Sequence, residues 1–357
     1  MPRSSLFSRI HPAASVLGLL LALTLLCPAW AGSSPETKKT LQIFFVDVEG
    51  GQATLFVTPA RQSLLIDTGW TGNNGRDADR IVAAAKQAGV SKIDYVLITH
   101  FHEDHVGGLL QLVARIPVGT VIDHGDNRES TDAPTVQGWQ AYQKLLAEKK
   151  FSRLTVKPGD SLPIQGIQTT VISSDGKVIA QALQGAGQEN ASCKNAEQYP
   201  ADQTENARSL GTLITFGELK ILDLGDLTRD KEMELVCPNN KLGAVDVYIV
   251  SHHGWYQSNS LAFLNAIAPR VAIMDNGAKK GGTPSAWDII EKSPRLENLW
   301  QLHFSEEGGA AHNVASEFIA NPDGPDEGHY LELIAQPDGS FDVINSRTSK
   351  TKHYSAH

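Results

Sequence analysis

The chain has 357 residues, of which 41% are hydrophobic and 20% are charged. This length and composition are typical of a globular, enzyme-sized protein with a substantial core, and they exclude disordered and fibrous proteins. The formal net charge is −9. A chain with this excess of acidic residues is not expected to bind long nucleic acid tightly, because such binding needs a basic surface.

The first 31 residues have the features of a cleaved signal peptide. Arg3 and Arg9 form a basic start, residues 16–26 are apolar, and residues 29–31 (AWA) form a small-x-small cleavage site. The apolar stretch is too short to span a bilayer of about 30 Å as a helix. We therefore predict cleavage after Ala31, a periplasmic or secreted protein, and no stable membrane anchor. Acylation of Cys27 is the alternative.

Removal of this segment would leave a single domain, residues 32–357, with 29 basic and 40 acidic residues and a net charge of −11. That balance strengthens the expectation against a long nucleic acid as partner. Cys193 and Cys237 would be the only cysteines left. In an oxidising compartment they could form a disulfide, and two unpaired buried thiols are the alternative.

Two segments of the chain share one pattern of apolar and polar residues. In each, a β-hairpin precedes a polar, helix-like stretch and a buried strand that ends in a hydroxyl residue and a histidine. The hairpins are predicted at residues 54–69 and 212–225, and the histidine-ending strands at residues 93–100 and 245–252. This duplication predicts an α/β protein of two similar halves, packed sheet against sheet with helices outside. Loops at matching strand ends would then meet at one edge, where ligands usually bind.

The segment THFHEDHVGG, residues 99–108, follows the first of these strands and contains four possible metal ligands. They are His100, His102, Asp104 and His105. Imidazole and carboxylate groups suit Zn²⁺, and they also suit Mn²⁺ or Fe. We expect a tight loop that begins a helix, whose side chains converge on two points about 3.5 to 4 Å apart, the separation found in two-metal hydrolases.

This segment matches the HxHxDH signature of the metallo-β-lactamase fold superfamily, and the duplication is similar to the four-layer αββα sandwich of that fold. The resemblance implies a metal-dependent hydrolase that binds two Zn²⁺ ions. It assigns His100 and His102 to the first ion, and Asp104 and His105 to the second. It also implies a carboxylate that both ions share, which here is Asp226 in the segment LDLGD.

The resemblance places one further histidine ligand at the end of a second-half strand, in the segment SHHG at residues 251–254. The duplication selects His252, because it occupies the position equivalent to His100. His253 would then contact a ligand residue or the substrate, or simply pack in the core, and direct ligation by His253 is the alternative.

Further segments resemble the nuclease-like domain of bacterial DNA-uptake proteins of the ComEC type. They are VDVEGGQATLF at residues 46–56 and NARSL at residues 206–210, together with LGD and SHHG. One position departs from the pattern: those proteins carry a histidine before a proline where this chain has Thr283 before Pro284. Residues 125–251 contain no histidine, whereas most superfamily members have a third histidine for the first ion there. We therefore expect the first site to bind its ion more weakly, with Asn206 as a weak ligand at most, and to accept Mn²⁺.

The predicted function is hydrolysis of a small molecule of the phosphodiester type by a metal-activated water. Asp104 or Asp226 would orient the water, and His253 or Lys280 would assist the leaving group. A cyclic ester or amide, as in lactonases and β-lactamases, is the alternative substrate, and a non-catalytic metal-binding module is a third hypothesis. Asp67 is expected either to orient a ligand histidine or to be structural. The oligomeric state is not predicted.

Overall fold

The computed structural model describes residues 40–149, 151–322 and 324–356. The predicted signal peptide, residues 1–31 with cleavage after Ala31, lies outside these ranges. Within them, no helix combines the length and the apolar character that a membrane crossing needs.

The described residues contain seventeen strands and seven α-helices. In chain order the strands are β1 (Leu41–Phe45), β2 (Thr54–Val57), β3 (Ser63–Ile66), β4 (Ile93–Leu97), β5 (Val118–Asp123), β6 (Ser152–Thr155), β7 (Gln168–Ser174), β8 (Lys177–Val178), β9 (Gly211–Phe216), β10 (Leu219–Asp223), β11 (Val247–Ile249), β12 (Val271–Met274), β13 (Asn298–His303), β14 (Ile319–Asn321), β15 (Leu331–Ala335), β16 (Phe341–Asn345) and β17 (Lys350–Tyr354). The helices are α1 (Arg76–Gln87), α2 (Glu103–Val106), α3 (Leu109–Leu112), α4 (Ala133–Lys149), α5 (Arg229–Val236), α6 (Leu261–Ile267) and α7 (Pro284–Glu291).

The strands form two sheets that correspond to the two predicted halves. One has the order β17-β16-β15-β1-β2-β3-β4-β5-β6, and the other has the order β14-β13-β12-β11-β10-β9-β7-β8. In the first sheet, β2 and β3 form an antiparallel hairpin and β4 lies parallel to β3. In the second, β9 and β10 form the hairpin and β11 lies parallel to β10. Helices α1 and α5 lie at equivalent points of the chain, between hairpin and parallel strand, so the predicted duplication is confirmed.

Apolar side chains fill three layers between and outside the sheets. In the middle layer, Ile66 and Leu97 of the first sheet pack with Ile221 and Ile249 of the second. On the outer face of each sheet, a separate cluster joins the strands to helices, α1, α3 and α4 on one side and α5, α6 and α7 on the other. Burying each such aliphatic side chain stabilises the fold by about 1.5 to 3 kcal/mol. The result is the predicted four-layer αββα sandwich.

The loops that follow β4, β10 and β11 meet at one edge of the two sheets. The backbone N–H of Leu210 donates to the carbonyl of Thr99 at 2.8 Å, and that of His252 donates to the carbonyl of Gly225 at 3.1 Å. Gly225 has φ +54°, and a Cβ there would lie 2.8 Å from the Cβ of Thr99. Only glycine allows so close an approach in this conformation. The two halves are therefore joined directly beside the residues 99–108.

The segment between the halves is anchored by a disulfide. Cys193 and Cys237 are bonded, with their Cα atoms 5.7 Å apart, so the first of the two predicted alternatives holds. The bond ties this segment to the residue that follows α5. Asn190, nearby, donates from its side chain to the carbonyl of Ala262 at 3.0 Å.

Candidate metal centre

Four buried side chains converge where these loops meet. Asp104, His105, Asp226 and His253 each offer one ligand atom, and the four atoms all lie within 4.8 Å of one another. His105 Nε2 is 3.2 Å from Asp104 Oδ2 and 3.3 Å from Asp226 Oδ1. His253 Nε2 is 3.2 Å and 3.4 Å from the same two oxygens. Two imidazoles and two carboxylates are a donor set that Zn²⁺ and Mn²⁺ accept. We call these four residues the second group.

The second group contains His253, where the sequence analysis expected His252. The backbone explains the difference, because His252 and His253 both have left-handed conformations, with φ of 57° and 54°. Two such residues in succession turn the chain sharply, so equivalence with the position of His100 does not fix the direction of the side chain. Left-handed non-glycine residues cost about 1 to 3 kcal/mol each and concentrate at functional sites. A histidine whose Nε2 faces the ligand group is also poorly placed to assist a leaving group.

A second set of imidazoles lies on the other side of Asp226. His100 Nε2 is 3.1 Å from His102 Nδ1 and 3.9 Å from Asp226 Oδ2. His252 Nε2 is 3.4 Å from the same carboxylate oxygen. His252 therefore supplies the third imidazole that residues 125–251 lack. We call His100, His102 and His252 the first group. Asn206, which was expected as a weak ligand, is buried, and its Oδ1 has no hydrogen-bond partner among the described residues.

Asp226 joins the two groups, because one of its oxygens faces each of them. Its Oδ1 is buried and has no hydrogen-bond partner in the described part of the chain. Burying an unpaired carboxylate oxygen is costly unless a cation or a donor satisfies it. A divalent cation within the second group would do so, and the residues present therefore fit a metal ion.

The remaining ring nitrogen of each histidine lies beside an oxygen atom of a neighbouring side chain. The pairs are His100 Nδ1 with Thr99 Oγ1 at 3.0 Å, His102 Nε2 with Glu129 Oε2 at 3.1 Å, His105 Nδ1 with Asp67 Oδ2 at 2.7 Å, His252 Nδ1 with Ser258 Oγ at 3.3 Å, and His253 Nδ1 with Asp275 Oδ1 at 3.3 Å. Hydrogen-bonded partners of this kind fix the tautomer and the orientation of a ligand imidazole; the exception is His253 Nδ1, which lies near Asp275 Oδ1 but forms no hydrogen bond with the described residues. These partners leave the inward nitrogen of each ring free to accept a cation.

Three carboxylates beside the ligands were missed in the sequence. Asp275 directly follows β12, at the same sheet edge as His252, so its position after a buried strand was a usable signal. Glu129 lies in irregular structure and gave no signal. Glu205 is fully buried, and it accepts hydrogen bonds from the backbone N–H of Phe101 at 3.2 Å and of Arg128 at 2.7 Å. It thereby holds the loop that carries His100 and His102.

Burial keeps two of the imidazoles neutral. It lowers the pKa of His100 well below its ordinary value, and the neighbouring rings of His105 and His102 act in the same direction. Burial also lowers the pKa of His252 to about 4. Neutral imidazole is the form that binds metal ions, so both side chains are ready to act as ligands near neutral pH.

The other two buried imidazoles attract protons. Burial disfavours a charge on His105, but Asp226 and Asp104 raise its pKa well above the ordinary value. Burial and Lys280 oppose a charge on His253, yet carboxylates led by Asp226 raise its pKa to about 10. The carboxylates of the second group thus draw positive charge into this position. A cation bound there would replace these protons.

Aromatic side chains lie at the rim of the site. The ring of Trp255 stacks on that of His252, with centroids 6.4 Å apart. Tyr256 follows, its ring 5.7 Å from that of Trp255, and its side chain is exposed. On the other side of the site, the ammonium of Lys280 lies 5.1 Å from the ring centre of Trp70. The rim therefore offers flat apolar surfaces and one cation to a small molecule.

Comparison with known proteins identifies similar sequences. A family model described as "Metallo-beta-lactamase superfamily" matches residues 46–178. ComE operon protein 3 of Bacillus subtilis is 25% identical over 252 residues, which are 66% of this chain and 28% of that protein. Recombination protein 2 of Haemophilus influenzae is 23% identical over 284 residues, which are 80% of this chain and 30% of that protein. The chain therefore spans less than a third of the length of these relatives.

The matching solved structures are more distant in sequence. The metallo-beta-lactamase fold protein YhfI from Bacillus subtilis is 14% identical, with a TM-score of 0.43, and the match covers 73% of this chain and 95% of that one. A diphosphatase from the PhnP family is 13% identical, with a TM-score of 0.41, and the match covers 83% of this chain and 98% of that one.

Proposed function

We propose that this chain, which has the metallo-β-lactamase fold and matches that superfamily over residues 46–178, is a metal-dependent hydrolase of small phosphodiester-type molecules. The observation that carries the proposal is the second group, in which a buried oxygen of Asp226 lies against two imidazoles and accepts no hydrogen bond from the described residues. A divalent cation held in such a group supplies a nucleophile at neutral pH and stabilises negative charge that develops in the reaction.

The proposed ligands divide between two ions. Those of the first ion are His100, His102, His252 and Asp226, and those of the second are Asp104, His105, His253 and Asp226. We propose Zn²⁺ for both, with Mn²⁺ as an alternative in the first. The first ion is expected to bind more weakly, because the ligand atoms of the second group all lie within 4.8 Å of one another and the described residues of the first group form no such set.

Two ionised carboxylates are available to handle a proton. Burial opposes a charge on Asp104, but Lys280 and His105 hold its pKa well below the usual range. Burial likewise opposes a charge on Asp226, and the neighbouring imidazoles keep its pKa low. An ionised carboxylate beside the reacting water can orient it and accept its proton. Lys280, which contacts Asp104 at the rim of the site, is the cationic side chain that we propose to assist the leaving group.

The substrate class is supported by the sequence rather than by the site alone. The segments at residues 46–56 and 206–210 resemble ComEC-type proteins, and two relatives are named ComE operon protein 3 and Recombination protein 2. A small molecule is favoured over long nucleic acid because residues 32–357 carry a net charge of −11. The Cys193–Cys237 disulfide supports an oxidising compartment, which export of residues 32–357 would provide.

The test is turnover by the purified protein with Zn²⁺ or Mn²⁺ on three substrates: a bis-aryl phosphate, nitrocefin and an acyl-homoserine lactone. We expect turnover of the phosphodiester, and a loss of at least about 100-fold in the Asp226→Asn variant together with lower metal content. The exposed turn residue Asp338 gives a matched control, because Asp338→Asn makes the same chemical change away from the site. Turnover of the lactam or the lactone alone would favour the alternative substrates. Two bound ions without any turnover would favour a binding module.

A further inference from the structure

The ammonium of Lys280 contacts a residue of the second group, Asp104. Its Nζ contacts Asp104 Oδ2, the same oxygen that lies 3.2 Å from His105 Nε2 and 3.2 Å from His253 Nε2. The side chain of Lys280 is 28% exposed and that of Asp104 is 8% exposed. Lys280 therefore stands between the buried ligand atoms and the solvent.

Two glycines and a tight loop bring Lys280 to this position. The backbone N–H of Gly277 donates to the carbonyl of Lys280 at 2.8 Å, which closes the loop. A Cβ on Gly50, at φ +78°, would lie 2.9 Å from the Cβ of Lys280, and a Cβ on Gly51 would lie 2.4 Å from the carbonyl oxygen of Asp104. Only glycine at both positions lets the lysine and the aspartate approach one another across this segment.

One oxygen of Asp104 cannot hold both the ammonium and a divalent cation without strong repulsion between them. The lysine has four rotatable carbon–carbon bonds, and while Nζ contacts Asp104 it also lies 5.1 Å from the ring centre of Trp70. A cation over an indole face is attracted by the ring. The ammonium can therefore leave Asp104 and stay at the rim of the site.

We propose that Lys280 is the residue of this site that binds an anionic substrate group, and that its ammonium neutralises Asp104 only until a divalent cation takes that place. This inference rests on the proposed function and specifies its substrate as one with a phosphate-like anionic oxygen beside the scissile bond. The compact charge of a lysine ammonium suits a phosphate oxygen. Its position at the rim puts that charge in the path of a group that enters from solvent.

The experiment compares wild type with Lys280→Met, Lys280→Arg and Lys279→Met. The last is a matched control, because Lys279 is the adjacent residue, is exposed and carries the same charge. Two quantities are measured by titration calorimetry or by competition with a chromophoric chelator: the Kd of inorganic phosphate for the zinc-loaded protein, and the Kd of Zn²⁺ for the metal-free protein. Neither measurement requires catalytic turnover.

We expect Lys280→Met to weaken phosphate binding about tenfold or more, as loss of a charged hydrogen bond does. The same change is expected to strengthen Zn²⁺ binding, because no ammonium must then be displaced from Asp104. Lys280→Arg keeps the charge and should retain most phosphate binding. Lys279→Met should leave both constants within about twofold of wild type, as surface changes usually do.

Unchanged phosphate binding in Lys280→Met, or weaker phosphate binding without tighter Zn²⁺ binding, would overturn the proposal. Equal losses in Lys279→Met would also overturn it, because they would indicate a general effect of surface charge. A wild-type protein that binds phosphate and Zn²⁺ as expected but hydrolyses no phosphodiester would contradict the proposed function and leave the role of Lys280 intact. The two failures are therefore distinguishable.

Discussion

Replacing Asp67 by asparagine is expected to weaken metal binding in the second group without touching a metal ligand. Asp67 Oδ2 accepts from Thr99 Oγ1 at 2.7 Å and lies 2.7 Å from His105 Nδ1. Its Oδ1 accepts the backbone N–H of Thr99 at 2.8 Å. Both oxygens are committed as acceptors, so His105 keeps a proton on Nδ1 and Nε2 is the nitrogen that would bind a metal ion in the ligand group.

An amide cannot reproduce this arrangement. The backbone N–H of Thr99 is a fixed donor and requires the amide oxygen, so the NH₂ group must face His105 Nδ1. That contact favours the tautomer in which Nε2 carries the proton, and this tautomer cannot bind a metal ion through Nε2. Loss of a carboxylate behind a ligand histidine typically lowers metal affinity about 10- to 100-fold, which corresponds to about 1.4 to 2.7 kcal/mol.

The assay is a competition titration with a chromophoric chelator at constant pH, after circular dichroism has shown that the variant is folded. The duplication supplies the control, because Asp223 occupies the equivalent position in the second half and is also buried. Its contacts are Gln52 Nε2 at 2.6 Å and the backbone N–H of Gly225 at 3.0 Å, and neither is a histidine. Wild-type affinity in Asp67→Asn, or an equal loss in Asp223→Asn, would refute the argument.

Two further predictions concern stability. The Cys193–Cys237 bond spans a sequence separation of 44 residues, and closing such a loop stabilises the folded protein by about 4 kcal/mol. The variant with serine at both positions should lose about this much unfolding free energy in urea denaturation. Equal denaturation midpoints for wild type and variant would contradict the prediction. His303 Nε2 lies 2.6 Å from Asp47 Oδ1; burial opposes the imidazolium, but Asp47 and Glu49 raise its pKa. A raised pKa contributes stability below about pH 6.5 that is lost as the pH rises through the folded value. Wild type should therefore lose more unfolding free energy than His303→Gln between about pH 6 and about pH 9, and parallel curves would contradict this.

The duplication in the sequence was enough to predict the architecture. Short apolar runs and the turn at residues 217–218 define the second hairpin, and the structure pairs β9 with β10 as expected. Strands of this kind are buried on both faces, so their pattern is strong and local. The meeting of the loops at one edge then follows from the parallel arrangement of β4 with β3 and of β11 with β10.

The choice between His252 and His253 could not be made in the same way. Equivalence of sequence position assumes equivalent backbone, and the left-handed conformations of both residues break that assumption. Glu129 and Glu205 were missed for a related reason. Glu129 contacts His102, 27 positions away, and the backbone N–H of Glu205, 76 positions away. Glu205 accepts from residues 101 and 128, which are 104 and 77 positions away. No periodicity in the sequence indicates a contact between such distant irregular segments.

An ion bound at Asp226, as proposed, would have a structural role as well as a chemical one. Asp104 and His105 come from the first half of the duplication, and Asp226 and His253 come from the second. An ion held by all four therefore links the two sheets at the edge where they meet. A ligand that binds only the folded protein stabilises it by about 4 kcal/mol when its concentration is about 1,000 times its Kd. Because this contribution exists only when both halves are in place, the ion favours the packed arrangement of the sheets over any state in which they separate.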